Sequence, residues 1–240
     1  MPTEFPPRPV IGPAPISPSA SLAVPGFLAR VYAWMAAGLM TTALAAFLTV
    51  SNPAVFSAVF GNRLVFCGLL FAELGLVVWL SGLVGKLSSG AASAVFLFYS
   101  ALNGVTLAVI FFAFTAGSIA STFLVAAGTF AAMSVFGLTT QRTLDGLGSF
   151  AFMGLIGVII ASVVNLFMRS DMLGFMVSCV GVIVFVALTA YDTRKLKMMA
   201  LAVDGGSEEG RRGAISGALA LYLDFINLFL MMLNLFGRRR

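Results

Sequence analysis

Residues 172–192, MLGFMVSCVGVIVFVALTAYD, decide the fold class of this chain. About twenty uncharged residues end in one acid, Asp192. At ~1.5 Å of rise per residue, a helix of this length covers the ~30 Å of hydrocarbon in a bilayer. The apolar residues run continuously and do not alternate, which excludes the strands of a membrane β-barrel. The stretch therefore predicts a membrane-spanning helix.

Six other stretches of the same kind occur along the chain, each close to the length that a spanning helix needs. The seven predicted spans cover residues 31–50, 64–84, 91–114, 119–139, 150–168, 172–191 and 214–236. Most connectors are short and contain turn or breaker residues. Residues 193–213 carry eight charged side chains, and we expect them to form a solvated loop. The fold class is predicted as an all-α polytopic membrane protein, a bundle of seven transmembrane helices.

The composition agrees with a membrane protein and excludes several kinds of enzyme. Of the 240 residues, 60% are hydrophobic and 10% are charged, whereas soluble domains carry about 25% charged residues. Histidine is absent from the sequence, which excludes histidine bases, catalytic triads that use histidine, and imidazole zinc sites. Cys67 and Cys179 lie inside apolar runs, where packed side chains are expected rather than a disulfide. We expect neither an enzyme nor a bound cofactor.

The N-terminal stretch differs from the rest of the chain. Residues 1–25 hold eight of the nine prolines and contain no apolar run long enough for a signal peptide. Such a stretch favours an extended chain without internal hydrogen bonds. We therefore predict a disordered proline-rich tail over residues 1–29 and a seven-helix membrane domain over residues 30–240.

Lysine and arginine are unevenly distributed between the two ends of the predicted spans. If the tail and the even-numbered loops share one side, that side holds nine of the 14 cations and the other holds five. Positive charge concentrates on the cytoplasmic side, so we expect a multi-pass protein of the cell inner membrane with a cytoplasmic N-terminus. Seven full crossings place Arg238, Arg239 and Arg240 outside. Charge therefore favours a re-entrant last segment, while the 23-residue length of that segment favours a full crossing.

Three acids lie inside predicted spans, where an ionisable side chain costs about 2.5–3.5 kcal/mol by insertion scales. Glu73 lies midway along the second span, Asp192 at the end of the sixth and Asp224 near the middle of the seventh. The two aspartates flank the charged connector, so their helices form a hairpin in which the acids differ in depth by about one to two turns. Two carboxylates in a shared apolar site cannot both ionise cheaply. We therefore predict that Asp192 and Asp224 hold a proton between them and act as a pH-sensing switch.

A polar stripe runs along the seventh predicted span. Asp224, Asn227 and Asn234 follow one another at spacings of three and seven residues, which places them on one face of a helix. We expect this face to point into the bundle. The asparagines are either hydrogen-bonding contacts between helices or part of an ion path, and Glu73 is either a structural acid or part of that path. Glu73 and Asn227 are therefore candidate ion-path residues.

Several motifs resemble one known family. Residues 190–193 read AYDT and residues 221–229 read LYLDFINLF. The middle of the chain adds YSALNG at residues 99–104, FMGLIG at residues 152–157 and ASVVNLF at residues 161–167. Together, from about residue 30 onward, they resemble the Bax inhibitor-1 family, also called the transmembrane Bax-inhibitor-motif family.

The resemblance implies a seven-helix fold in which the last helix is central and is wrapped by the other six. It also implies a pH-sensitive calcium leak, with calcium as the permeant ion, opened or closed by an aspartate pair. That pair matches Asp192 and Asp224, and the acid on the family's second helix matches Glu73. Family members can carry an arginine late in the second helix that latches onto the helix-six aspartate. Lys86 is the candidate latch here, although its ammonium is a point charge rather than a planar fork.

Other functions stay open at this point. Bacterial members of the family are linked to a membrane-anchored ATP-dependent protease, which implies a non-conducting regulator of that protease or of membrane-protein quality control. An intramembrane aspartyl protease is a weaker interpretation, because Tyr191 and Asp192 fit one of its motifs while Asp224 lacks the glycines of the other. A bundle that serves only as a scaffold is a further alternative. We expect the lipid bilayer as a partner, and no nucleic acid.

Overall fold

The computed structural model describes residues 18–83 and 87–240. Residues 1–17 of the predicted tail and the candidate latch Lys86 lie outside the described residues, so both predictions stay predictions. From Pro18 onward the chain is helical. The first helix therefore begins before the predicted domain boundary at residue 30.

Helices make up nearly all of the described chain, and seven spans within it are long and apolar enough to cross a membrane. The helices are α1 (Pro18–Ser51), α2 (Pro53–Phe60), α3 (Arg63–Leu83), α4 (Ser89–Leu107), α5 (Ile110–Ala113), α6 (Ala116–Thr139), α7 (Asp145–Met168), α8 (Asp171–Ala202) and α9 (Glu208–Phe236). The spans are α1, α3, α4 together with α5, and each helix from α6 to α9. The predicted all-α polytopic membrane fold is confirmed.

Short polar side chains set several of the helix starts. The side chains of Asn52, Ser88, Ser170 and Ser207 each accept hydrogen bonds from backbone N–H groups of the following turn, at 3.0 to 3.3 Å. They satisfy donors that have no partner inside the helix. Pro53 occupies the first position of α2, where its missing N–H costs nothing. The breaker residues Asn52 and Pro53 therefore begin the short helix α2, which we did not predict.

The predicted solvated loop over residues 193–213 is wrong. Helix α8 continues to Ala202 and α9 begins at Glu208, so only residues 203–207 connect them. Thr193 and Leu196, both placed in the predicted loop, are buried in the bundle. A charge-rich stretch indicates contact with water, and a helix with one buried face meets that requirement as well as a loop does.

Two cations in this extension of α8 tie it to the end of α6. The Lys197 Nζ donates to the carbonyl oxygen of Leu138 at 2.7 Å, and the Arg194 Nη1 donates to that of Thr140 at 2.5 Å. The last carbonyls of a helix have no partner within the helix, and the helix dipole favours positive charge beside them. The charges read from sequence as loop residues therefore help to fix the packing of α8 on α6.

Helix α9 packs mainly against α1, α4, α6 and α8. Its buried positions, which include Leu221, Tyr222, Asp224 and Phe225, span an arc of about 220° at 100° per residue. An apolar surface this wide belongs in the interior of a bundle. Helix α3 packs mainly on α4, and α7 mainly on α8. Enclosure of the last helix by all six other spans, which the family resemblance implies, stays a prediction.

The connections of the bundle lie at two ends, which we name the charged face and the opposite face. At the charged face, where α3 connects to α4, α6 to α7 and α8 to α9, the Ser89 N–H donates to the Glu208 Oε1 at 2.6 Å. At the opposite face, residues 237–240 follow α9, and the Thr115 N–H donates to the carbonyl oxygen of Arg238 at 3.1 Å. Helix α9 therefore crosses the whole bundle. The full crossing favoured by length is correct, and the re-entrant segment favoured by charge is wrong.

Glycines allow some spans to approach closely. A Cβ on Gly104 of α4 would collide with the carbonyl oxygen of Thr42 in α1 and would lie 2.8 Å from the Cβ of Ala45. A Cβ on Gly137 of α6 would collide with the carbonyl oxygen of Ala190 in α8. Backbone contact of this kind is the usual way in which helices associate in lipid.

We expect Gly104→Ala to lower the free energy of unfolding by about 1–3 kcal/mol, because the added methyl forces α1 and α4 apart. The measurement is thermal unfolding in detergent micelles, followed by circular dichroism. Gly128→Ala is the matched control, since a Cβ at Gly128 in the middle of α6 meets nothing within 4 Å. The control should be neutral or stabilising by up to about 1 kcal/mol. Equal effects of the two substitutions would contradict the close packing of α1 on α4.

Candidate functional site

Helices α8 and α9 bring Asp192 and Asp224 together. The two helices run antiparallel from the short connection at residues 203–207. Asp192 lies close enough to Asp224 for the two carboxylates to interact electrostatically. Both helices extend further toward the charged face than we predicted, and the two acids still lie within electrostatic range of each other.

Asp224 lies in an apolar environment. Its residue is only 5% exposed, and Leu221 and Leu228, one turn to either side, are completely buried. Within the described residues, the buried Oδ2 of Asp224 has no hydrogen-bond partner. The neighbouring Phe225 stacks edge to face with Phe130 of α6, with ring centroids 5.5 Å apart. A buried carboxylate oxygen without a hydrogen-bond donor makes the ionised form costly.

Asp192 has a different environment from its partner. The residue is half-buried, and the exposed Lys195 on the next turn of α8 attracts its carboxylate. The preceding Tyr191 packs against Gly148 of α7, where an added Cβ would lie 2.5 Å from its ring. In the part of the chain that the structure describes, Asp192 faces Asp224, and Lys195 is the cation beside the pair. One acid is thus enclosed in the bundle and the other is partly exposed.

Glu73 belongs to a second polar cluster. It is 7% exposed in α3, and the Thr106 hydroxyl of α4 donates to its Oε1 at 2.8 Å. Its carboxylate lies within electrostatic range of the Tyr99 and Tyr222 hydroxyls. The Tyr222 hydroxyl in turn lies 2.7 Å from the Thr42 Oγ1 of α1. We name these five residues the tyrosine cluster; it joins α1, α3, α4 and α9.

The sequence did not reveal most of the tyrosine cluster. Thr42, Tyr99, Thr106 and Tyr222 are hydroxyl residues in apolar spans, and a helix interior accommodates such residues without special partners. A usable signal was the position of the tyrosines, because a tyrosine far from the membrane surface generally needs a partner for its hydroxyl.

The aspartate pair and the tyrosine cluster lie on different sides of α9. Tyr222 and Asp224 are two residues apart, which corresponds to about 200° around a helix. Tyr222 meets α1 and α4, whereas Asp224 meets α8. The structure therefore brings the two aspartates together and places Glu73 apart from them.

The predicted polar stripe is only partly directed inward. Asn227 is half-buried, and its Nδ2 donates to the carbonyl oxygen of Leu223 in its own helix at 2.8 Å. Asn234 is exposed near the end of α9, so the expectation that it faces the interior is wrong. Both asparagines lie on the less buried side of α9, about 60° to 80° from Asp224 around the helix. Spacing fixed their common face but not the direction of that face.

The comparison with known proteins covers both sites. A family model described as "Inhibitor of apoptosis-promoting Bax1" matches residues 24–240. The match includes all seven spans, the aspartate pair and the tyrosine cluster. The chain belongs to the Bax inhibitor family. The resemblance stated from the motifs is thereby confirmed.

Individual relatives of this chain align with it over nearly its whole length. The inner membrane protein YbhL of Escherichia coli strain K12 is 50% identical over 226 residues, which are 94% of this chain and 96% of that protein. An uncharacterized protein of Borreliella burgdorferi is 46% identical over 214 residues, or 89% of this chain and 92% of that protein. An uncharacterized protein of Deinococcus radiodurans is 43% identical over 213 residues, or 89% and 90%.

We expect Thr106→Ala to lower the free energy of unfolding by about 1–3 kcal/mol, because it leaves the buried Glu73 carboxyl without its donor. Thr106→Ser keeps the hydroxyl and should retain most of the stability of the wild-type protein. The loss of one methyl group alone costs about 0.8 kcal/mol. Thermal unfolding in detergent micelles measures both variants. If serine destabilises as much as alanine, the hydrogen bond to Glu73 contributes nothing.

Proposed function

We propose that this Bax inhibitor family protein is a pH-sensitive calcium leak channel, in which Asp192 and Asp224 form the proton switch. The observation that carries the proposal is the environment of Asp224. Its carboxyl is buried in the bundle, has no hydrogen-bond partner for Oδ2 among the described residues, and lies within electrostatic range of a second carboxyl on the preceding span. A scaffold has no need of such a costly group.

The charge of the pair supports a cation as the permeant species. Two ionised carboxylates in an apolar bundle attract a cation strongly, because the low dielectric weakens screening. A proton held between them removes part of that charge, so the attraction and the repulsion between α8 and α9 both change with pH. Oxygen ligands of this kind suit calcium among the divalent ions. The protein acts in this proposal as a passive path and not as an enzyme.

Movement of α9 is the proposed consequence of protonation. Helix α9 packs against α8 through the aspartate side and against α1 and α4 through the Tyr222 side. Removing the repulsion on one side shifts the balance between two arrangements of the helix. Each ~1.4 kcal/mol of difference changes their populations tenfold, so a modest electrostatic change is enough. Lys86 remains the candidate latch for the half-exposed Asp192, and Glu73 and Asn227 remain candidate ion-path residues.

We propose the inner membrane as the location, with the charged face in the cytoplasm. The printed name of the relative YbhL, an inner membrane protein, supports the location. With seven crossings, the start of α1 and the connections of the charged face share one side. That side holds nine of the 14 cations, as the positive-inside rule requires for the cytoplasm.

The test is calcium flux into proteoliposomes loaded with a calcium-sensitive dye, measured between about pH 5 and about pH 8. We expect the wild-type flux to change with pH and the Asp192→Asn and Asp224→Asn variants to vary by less than about twofold across that range, because neither retains a paired acid. Asp145→Asn is the matched control, since Asp145 is an exposed acid in the first turn of α7 at the charged face.

The control variant should keep the wild-type pH profile. If both pair variants also keep that profile, the proton switch is refuted. If the wild-type protein passes no more calcium than empty liposomes, the channel itself is refuted. That result favours the alternative function, a non-conducting regulator of a membrane-anchored protease, which crosslinking in native membranes would then test.

A further inference from the structure

A cavity of about 500 Å³ opens at the opposite face of the bundle, far from the aspartate pair. It lies between the connection of α7 to α8 and the end of α9. Its wall includes two arginines, Arg169 and Arg239, two asparagines, Asn165 and Asn234, and one acid, Asp171. The volume lies within the range of small-ligand sites in proteins, about 300–1,000 Å³.

The backbone around Arg239 is fixed in place. The Arg238 N–H donates to the Ser118 hydroxyl at 2.9 Å, and the Arg238 carbonyl accepts from the Thr115 N–H at 3.1 Å. The Arg240 N–H donates to the carbonyl oxygen of Ala113 at 3.1 Å. Arg239 and Phe114 thereby form a short antiparallel bridge. The residues after a final helix often fray, whereas these present Arg239 at the cavity wall.

Arg169 reaches the same cavity from a strained backbone. Its φ of 52° and ψ of 38° lie in the left-handed region, and no other non-glycine residue of the described chain has a positive φ. This conformation at the end of a helix is usually taken by glycine, and another residue pays about 1–2 kcal/mol. Asn165 stabilises the turn by accepting a hydrogen bond from the Ser170 N–H at 3.0 Å. The turn thus places an arginine at the cavity wall, in a backbone conformation that costs glycine less free energy.

The chemistry of the wall suits an anion. Its charged groups are two guanidiniums and one carboxylate, and the Asp171 Oδ1 lies 4.0 Å from the Arg239 Nη1 with both side chains largely exposed. An exposed pair at this distance is weak and leaves most donors of Arg239 available. The planar guanidinium fork matches the oxygens of a phosphate group. Phe175 in the wall, and Met168 and Met172 beside it, are exposed apolar residues of lipid-facing helices.

We propose that this cavity binds a phosphate group at the membrane surface, with Arg169 and Arg239 as its ligands. A phospholipid headgroup and free phosphate share this chemistry. The apolar rim would hold a lipid with its headgroup at the depth of the two arginines. The site also accounts for the position of the terminal arginines, which lie on the face with fewer cations. A bound anion offsets the charge that the positive-inside rule disfavours there.

The experiment uses the full chain in nanodiscs of phosphatidylcholine with increasing phosphatidylglycerol. Retained lipid is counted by native mass spectrometry, and thermal unfolding is followed in parallel. We expect the wild type to retain phosphatidylglycerol and to unfold at higher temperature as its fraction rises. Arg169→Gln with Arg239→Gln should weaken this binding about tenfold or more, as expected for the loss of charge-assisted hydrogen bonds.

Two further variants separate binding from folding. Arg63→Gln removes an exposed arginine at the same face but outside the cavity, and it should bind as the wild type does. Arg169→Gly removes the charge and relieves the left-handed strain, so it should fold at least as stably in phosphatidylcholine and still bind more weakly. This variant decides the question if the double variant fails to fold.

Inorganic phosphate, added to phosphatidylcholine nanodiscs, distinguishes the two sources of the group. Stabilisation of the wild type by millimolar phosphate, lost in Arg169→Gly, assigns the site to free phosphate. Stabilisation by phosphatidylglycerol alone assigns it to a lipid headgroup. Binding of phosphatidylglycerol that is unchanged in Arg169→Gly, or weakened equally in Arg63→Gln, overturns the proposal.

Discussion

The burial of the Asp224 carboxyl is the constraint on which the rest of the bundle depends. An ionised acid at the centre of a membrane costs about 2.5–3.5 kcal/mol by insertion scales. Among the described residues its charged neighbour is another acid, Asp192, so electrostatics adds to this cost when both are ionised. The packing of α9 against four other helices must hold the group in place. This cost falls when the acid is protonated, and the proposed proton switch depends on that difference.

The two sides of α9 hold the helix by different kinds of interaction. On one side, Tyr222 is joined to Thr42 by a hydrogen bond between hydroxyls and stacks edge to face with Phe96, with ring centroids 5.6 Å apart. These two contacts join uncharged groups, and the acid on this side is Glu73, which lies within electrostatic range of the Tyr222 hydroxyl. On the other side, Asp224 lies within electrostatic range of Asp192 of α8. In the proposed switch, the proton acts on this second side, while the Tyr222 side keeps its packing on α1 and α4.

Hydropathy and spacing predicted the seven membrane spans and the approach of the two aspartates to each other. The thickness of the hydrocarbon fixes the length of a span, and an acid inside a span stands out against apolar neighbours. The tyrosine cluster and the separation of Glu73 from the aspartates were not predictable. Sequence gives the depth of each polar residue along its helix, but which neighbour it meets depends on the rotation and packing of the helices. The charged extension of α8 was missed because charged residues indicate contact with water and do not distinguish a helix from a loop.

The crossing of the last helix shows how two rules of membrane topology compare in magnitude. Leaving arginines on the side with fewer cations forgoes about 1 kcal/mol of attraction to the cytoplasmic leaflet for each charge. A re-entrant segment instead exposes backbone N–H and carbonyl groups at membrane depth, and each unsatisfied group there costs several kcal/mol. The 29 residues of α9 form one helix of about 43 Å, in which these groups are paired within the segment. Backbone hydrogen bonding therefore outweighs the charge rule, and the backbone beyond α9 is held locally by the bridge between Arg239 and Phe114.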